Sequence, residues 1–223
     1  KVYRGERNQK GRYKEFYQCD IDIIGNNSLS IHNDALLPKV IYDIFQKLEF
    51  DGIKFHINNR KLLNGFFESI GIENKEEVLR TIDKKAKIGD ESTKELLVEI
   101  CGEEKADKLM DLVNNKRENE KLLTYLETLD LNENYKIGLK ELREVYDYMI
   151  KFGIDDKSIM IDLSITRGLD YYTSTVYETF LDGYESIGSV CSGGRYENLA
   201  GNFSKQNLPG AGLSIGLTRL FYQ

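Results

Sequence analysis

IDLSITRGLDYYTSTVYE, residues 161–178, changes character partway along its length. Ile161, Leu163 and Ile165 alternate with Asp162, Ser164 and Thr166, the period of a strand with one apolar face. Arg167, Gly168, Leu169, Asp170, Tyr171 and Tyr172 then place a fixed cation, a flexible backbone position, a carboxylate and two phenols side by side. An ordinary strand end does not need that set. Arginine presents a planar fork of donors suited to carboxylate or phosphate, and tyrosine a hydroxyl on a rigid ring. A salt-bridged strand end with two packed tyrosines would use the same residues. The flanking chain decides between the two.

Upstream, residues 73–156 contain no proline and are dominated by leucine and charge. Leu96, Leu97 and Ile100, then Leu109, Leu112 and Val113, then Leu122, Leu123, Leu126 and Leu129, then Leu139, Leu142, Tyr146, Met149 and Ile150 all follow helical spacing. The stretch reads as four or five helices set into an α/β domain. Its 15 basic and 22 acidic residues are simplest as solvated faces. Downstream, 175–181 reads as a strand ending in a turn at Asp182-Gly183. Residues 188–192 form a short strand opening into Gly193-Gly194-Arg195-Tyr196, where paired glycines would let the backbone approach a ligand. Pro209-Gly210-Ala211-Gly212 reads as a loop, and 213–221 as a strand running into a helix at Gly216.

At the start of the chain, 2–7 and 15–24 read as two strands joined by a turn over 8–14. Alternation puts Arg4 and Glu6 on one face of the first strand. On the second it puts Phe16, Gln18, Asp20 and Asp22 on one face and Tyr17, Cys19, Ile21 and Ile23 on the other, expected to be the core side. A solvated face would also explain the polar set. Leu36, Leu37, Val40, Ile41, Ile44, Phe45 and Leu48 predict an amphipathic helix over 34–49, with Asp34 as its N-cap and Pro38 in or near the first turn. Residues 53–58 read as a strand, and 60–70 as a helix stopped by Gly71.

Composition narrows the classes. The 223 residues suffice for one large domain, or one domain carrying an insertion. No apolar run approaches the roughly 18 residues that span a bilayer, and no membrane partner is expected. Cys19, Cys101 and Cys191 lack metal-ligand spacing and read as reduced thiols of a cytoplasmic protein. His32 and His56 are the only histidines, too few for a histidine-based metal site, and both read as incidental. The net charge of −6 argues against a nucleic-acid-coating protein, although residues 1–17 hold six basic side chains against two acidic ones. No glycine-rich phosphate loop is present, so a bound nucleotide would be held by arginine forks. The chain opens without Met inside a strand-like run and stops inside a helix-like one, as expected of a piece of a longer protein.

Four stretches in this order resemble the catalytic domain of the histidyl-tRNA synthetase family, class II aminoacyl-tRNA synthetases. VYRGERNQKGRYKEFYQCDIDIIG (2–25) is similar to motif 2. RGLDYYTSTVYE (167–178) and SVCSGGRYENL (189–199) are similar to the two histidine signatures, and GAGLSIGLTRL (210–220) to motif 3. The resemblance implies an α+β fold with a mixed, mostly antiparallel sheet flanked by helices and carrying an inserted helical module. Residues 1–72 would be the first part of the catalytic domain, 73–156 the insertion and 157–223 the second part.

The activity implied is ATP-dependent activation of L-histidine to histidyl-adenylate and its transfer to tRNA(His), with Mg²⁺ entering as part of the ATP complex and no tightly bound protein metal. Arg4 would contact the α-phosphate and the substrate carboxylate, Glu6 the adenine end or the tRNA terminus, and Arg12 the outer phosphates. Phe16 would stack on adenine, with Arg219 on the other side. Gln18 would hold the amino-acid backbone. Asp22 and Tyr172 would bind the imidazole nitrogens, with Tyr171 beside them and Tyr196 closing the pocket. Arg167 would sit at the α-phosphate as the carboxylate attacks. Glu6, Asp170 and Glu178 fit structural hydrogen-bond roles equally well. Asp22 is shorter than the glutamate many members carry, and Thr173-Ser174 stands where Thr-Gly is commoner, a change expected to be harmless. Motif 1, which builds the homodimer interface, would precede Lys1, and the anticodon-binding domain would follow Gln223. The alternative is a non-catalytic paralogue that senses histidine or regulates another enzyme.

Overall fold

The computed structural model describes residues 1–5, 13–166, 171–202 and 205–221. Strands β1 (Val2–Tyr3) and β2 (Glu15–Phe16) pair antiparallel, and Arg4 N donates to Lys14 O at 2.8 Å, extending the hairpin. The main sheet contains β3 (Cys19–Ile24), β4 (Ile53–Asn59), β5 (Ile159–Ile161), β6 (Thr175–Leu181), β7 (Cys191–Tyr196) and β8 (Gly210–Ile215). Their order is β3-β8-β7-β6-β4-β5, antiparallel throughout except for the parallel β4–β5 pair. Helices α1 (His32–Lys47), α2 (Arg60–Ser69), α3 (Lys75–Cys101), α4 (Glu103–Val113), α5 (Asn119–Thr128), α6 (Glu133–Lys151) and the short α7 (Leu217–Phe221), with 3₁₀ turns at Asp156–Ser158, Glu185–Ile187 and Leu199–Asn202, complete the described elements. This is the mixed, mostly antiparallel α+β arrangement expected.

One continuous apolar cluster runs from the sheet into the helices of 75–151. Helix α6 returns to pack on α1 and α2. Its approach to α2 depends on two glycines. A Cβ at Gly65 would lie 2.3 Å from Tyr135 N, and one at Gly138 would lie 2.1 Å from Leu62 N. Helix α3 breaks at Gly89, whose φ of 82° falls in the left-handed region.

Several local expectations are corrected. Asp34 is not a cap: α1 begins earlier, its N-cap Ile31 makes no side-chain bond, and Asp34 is fully buried. Pro38 lies inside the helix beyond its first turn. Having no N–H, it leaves the Asp34 carbonyl without its helical donor, and the Tyr177 hydroxyl donates to that carbonyl instead. The strand expected through Ile165 ends at Ile161, because the Asp162 carboxylate accepts from Ser164 N at 2.9 Å and Ser164 Oγ at 2.6 Å and turns the chain. Gly193 to Tyr196 lie within β7, and Gly210 to Gly212 within β8, where a strand mouth and a loop were expected. On β3, Ile21 and Ile23 pack on the core, but Cys19 and the preceding Tyr17 are exposed, because β3 is an outer strand and the chain breaks from β2 at Tyr17-Gln18.

Candidate active site

The exposed face of β3, β8 and β7, the β1–β2 hairpin and the first turns of α3 enclose an open cleft of about 1120 Å³. Of the residues singled out in the sequence, Arg4, Phe16, Gln18, Asp22, Tyr171, Tyr172, Glu178, Tyr196 and Arg219 line it. Glu6, Arg12, Arg167 and Asp170 lie outside the described residues.

The floor is made by glycine. Asp22 on β3 faces Gly212 on β8, which faces Gly194 on β7. Tyr196 on β7 faces Gly210. The Tyr196 hydroxyl reaches over β8 and donates to Asp22 Oδ1 at 2.8 Å. A Cβ at Gly212 would lie 2.0 Å from that Asp22 oxygen, and one at Gly210 would lie 2.3 Å from the Tyr196 ring. A Cβ at Gly194 would lie 2.9 Å from Tyr172 Cδ1. The side chains therefore lie down on bare backbone, which is why the paired glycines belong in strands.

Three aromatic rings stand around Asp22. Tyr171 packs on Tyr172 with centroids 4.7 Å apart, and on Tyr196 at 6.1 Å, both edge-on. Burial raises the Tyr172 phenol above its ordinary range, with Tyr171 and the Asp22 charge adding to it. Burial and then the hydrogen bond to Asp22 do the same for Tyr196. Both stay protonated at neutral pH, so this end offers phenol donors and one carboxylate acceptor.

At the other end the groups are cationic. The Arg4 guanidinium lies over the Phe16 ring, 5.1 Å from its centroid. Arg4 Nη2 also donates to Gln18 Oε1 at 3.5 Å. Arg219 donates to the Ser189 carbonyl. Gln18 Nε2 donates to Ser214 Oγ, and that hydroxyl to Asp20 Oδ1. This chain runs from β3 to β8 and fixes the Gln18 amide with its oxygen towards Arg4. Ser214 was not singled out in the sequence, and Asp20 only as a member of the polar face. Their register is set by the β3–β8 pairing of Asp20 with Ser214, which periodicity within one strand does not reveal.

Arg195 is the other residue that the sequence reading left without a role. It is buried beneath the cleft, opposite Asp34. Its Nε contacts both Asp34 oxygens at 3.0 Å and Nη2 reaches Oδ1 at 2.7 Å. Nη1 donates to Leu29 O and Nη2 to Ser30 O, each at 3.0 Å. Thr175 Oγ1 supplies a further donor to Asp34 at 2.6 Å. Burial works against the Arg195 charge, but the bonds and charge of Asp34 outweigh it and hold its pKa above the ordinary arginine value. The position of Asp34 on the helical face shared with Leu37, Ile41 and Phe45 was the available sign that it is buried.

The remaining candidates lie elsewhere. His56 pairs with Asp162 at 2.7 Å, and His32 stacks on Tyr148. The three cysteines are free, and burial pushes the Cys191 thiol up to about 12. Among the described residues no group of three histidine, cysteine or acidic side chains could hold a metal ion, and no helix is long and apolar enough to cross a membrane.

The family model described as "Histidyl-tRNA synthetase" matches residues 1–220. The histidine–tRNA ligase of Clostridium tetani is 55% identical over 225 residues, covering 100% of this chain and 51% of that protein. That of Finegoldia magna is 52% identical over 225 residues, covering 100% and 52%. The crystal structure of histidyl-tRNA synthetase from Nostoc sp. PCC 7120 superposes with a TM-score of 0.91 at 41% identity, covering 99% of this chain and 51% of that one. The chain thus spans about half the length of the relatives it matches.

Proposed function

Because this chain belongs to the histidyl-tRNA synthetase family, we propose that its cleft is where ATP activates histidine to histidyl-adenylate, ahead of transfer to tRNA(His). The observation that carries the reading is the Tyr196–Asp22 hydrogen bond in a cage of phenols, facing the Arg4–Phe16 pair across one cleft. An imidazole needs one acceptor and one group able to donate or accept, and a carboxylate beside phenols offers both. A site whose buried polar groups go unpaired with the wrong amino acid rejects it strongly. ATP would enter as its Mg²⁺ complex, with adenine against Phe16.

On this reading, Arg4 and Arg167 hold charge at the α-phosphate while the histidine carboxylate attacks it. Positioning and electrostatics carry most of the work. Gln18, with its amide fixed by Ser214 and Asp20, receives the backbone of the amino acid. Arg219 and Arg12 hold the outer phosphates, and Glu6 the adenine end. Residues 73–156 are the helical insertion between the two parts of the catalytic domain. On the same reading the intact enzyme is a cytoplasmic homodimer.

Calorimetric titration with histidine, alone and then with ATP and Mg²⁺, tests the site. Binding that disappears in Asp22→Asn supports it. Equal affinity in the two proteins would remove Asp22 from the pocket and the imidazole assignment with it.

A further inference from the structure

Asn58 and Asn59 are consecutive, fully buried and at the end of β4, immediately before the cleft-lining Arg60. Successive side chains of a strand point to opposite faces, so the two asparagines reach in different directions. Asn58 Nδ2 donates to Ile165 O at 2.9 Å. Asn59 Nδ2 donates to Ser174 Oγ at 3.1 Å, and Arg60 N to Ser174 O at 2.9 Å. The pair therefore ties down the chain on both sides of the tyrosine-bearing stretch, before Thr166 and after Thr173.

The helices of 75–151 hold the same two points. Thr166 Oγ1 donates to Leu79 O of α3 at 2.9 Å in a buried setting. Glu141 of α6 accepts from Ser174 Oγ at 2.6 Å and from Asn59 Nδ2 at 3.0 Å on the same oxygen. Its other oxygen accepts from Lys61 Nζ at 2.6 Å. Lys61 also lies 3.7 Å from Glu197, the neighbour of Tyr196. Asn59 Oδ1 is occupied in capping α2, through Lys61 N at 2.9 Å and Leu62 N at 3.3 Å. An exposed helix would gain little from a half-buried glutamate with three donors, whereas such an anion fixes every group that donates to it.

We propose that Glu141 is a positioning residue for the amino-acid end of the cleft, acting through Ser174 and Asn59 on Tyr171 and Tyr172. Ser174 supplies the hydroxyl that links the helix to the stretch two residues beyond Tyr172. Moving α6 then moves the pocket's phenols, so the helical segment and histidine binding are coupled. The inference rests on the reading of this cleft as a histidine site, and its test separates the two.

The test uses the whole chain labelled with 3-fluorotyrosine, with the Tyr172 resonance assigned from Tyr172→Phe, and calorimetry with histidine and with ATP. Glu141→Ala and Ser174→Gly should each shift the Tyr172 resonance and leave that of the distant Tyr17 in place. Histidine affinity should fall about five- to tenfold and ATP affinity change by less than about twofold. Glu141→Gln, which keeps an acceptor for Ser174, should recover most of the affinity. An unmoved Tyr172 resonance in a cooperatively folded Glu141→Ala protein overturns the proposal. So does equal weakening of both ligands, the result of general loosening. A shifted resonance in a protein that binds no histidine, wild type included, upholds the positioning role and removes the histidine reading instead.

Discussion

Tyr196 and Asp22 are hydrogen-bonded at 2.8 Å although a whole strand, β8, lies between theirs. The bond exists because β8 carries no side chain at Gly210 or Gly212 to lift either partner off the sheet. Removing the phenol oxygen leaves the Asp22 carboxylate free to swing. Tyr196→Phe should weaken histidine binding about tenfold, the worth of one hydrogen bond to a charged acceptor. Calorimetry on the variant measures this, and an unchanged affinity would mean that the bond does not orient Asp22 for the ligand.

Two glycine substitutions on the cleft floor should separate function from stability. The Cβ of Gly212→Ala would meet the tip of Asp22, a side chain that can rotate away, so histidine binding should be lost with little change in melting temperature. The Cβ of Gly193→Ala would lie 1.9 Å from the backbone oxygen of Gly212, which cannot rotate away. That variant should lose about 1–3 kcal/mol of stability by overpacking, read from urea denaturation.

The buried Asp34–Arg195 pair makes a further prediction. Asp34→Ala leaves a buried guanidinium without its partner and should cost about 3–5 kcal/mol. Replacing both residues with apolar side chains of similar volume should restore much of that loss. Urea denaturation of the single and double variants gives the comparison.

Acid should unfold the protein chiefly through the two depressed carboxyls that are withdrawn from solvent, Glu141 and Asp162. Burial alone would raise Glu141, but hydrogen bonds from Lys61, Ser174 and Asn59 outweigh it and hold the group below its ordinary 4.5. Burial of Asp162 is likewise outweighed by His56 and Ser164, leaving it below 3.8. Each group binds its proton more readily in the unfolded chain. Their stabilisation is therefore complete above about pH 5 and is lost as the pH falls through the folded values. Melting temperature should be flat down to about pH 5 and then fall. Glu141→Gln should start lower and fall less steeply.

If the proposed activity holds, Arg167→Ala in an intact enzyme should slow adenylate formation by about two orders of magnitude, as loss of one transition-state donor does. Histidine-dependent pyrophosphate exchange reads the rate, and an unchanged value would take Arg167 out of the mechanism.

The sequence made the elements legible where one segment's own period carries the information, as in β6 and the helices of 75–151. It was least legible where the partner is remote. Asp34 reads locally as a cap because aspartate favours helix starts, and the partners that make its burial tolerable, Arg195 on β7 and Thr175 on β6, are remote in the chain. Gly210 and Gly212 read as a loop because glycine disfavours strands, and only the side chains lying on them explain the exception. The polar face of β3 was visible from alternation, but the Asp20–Ser214–Gln18 chain required the register against β8.

That register also constrains how the molecule can be made. Gln18 and its partner Ser214 are 196 positions apart in the chain. During synthesis from the N-terminus, β3 emerges long before β8, the strand that pairs with it. Until then neither β3 nor β7 has its β8 neighbour, and both present open edges able to recruit another chain. The cleft is thus assembled in a single late event, the insertion of β8. Any nascent chain stalled before β8 carries helices with native partners, an unpaired β3 and a β7 paired on one edge alone, a species prone to aggregate and empty of function.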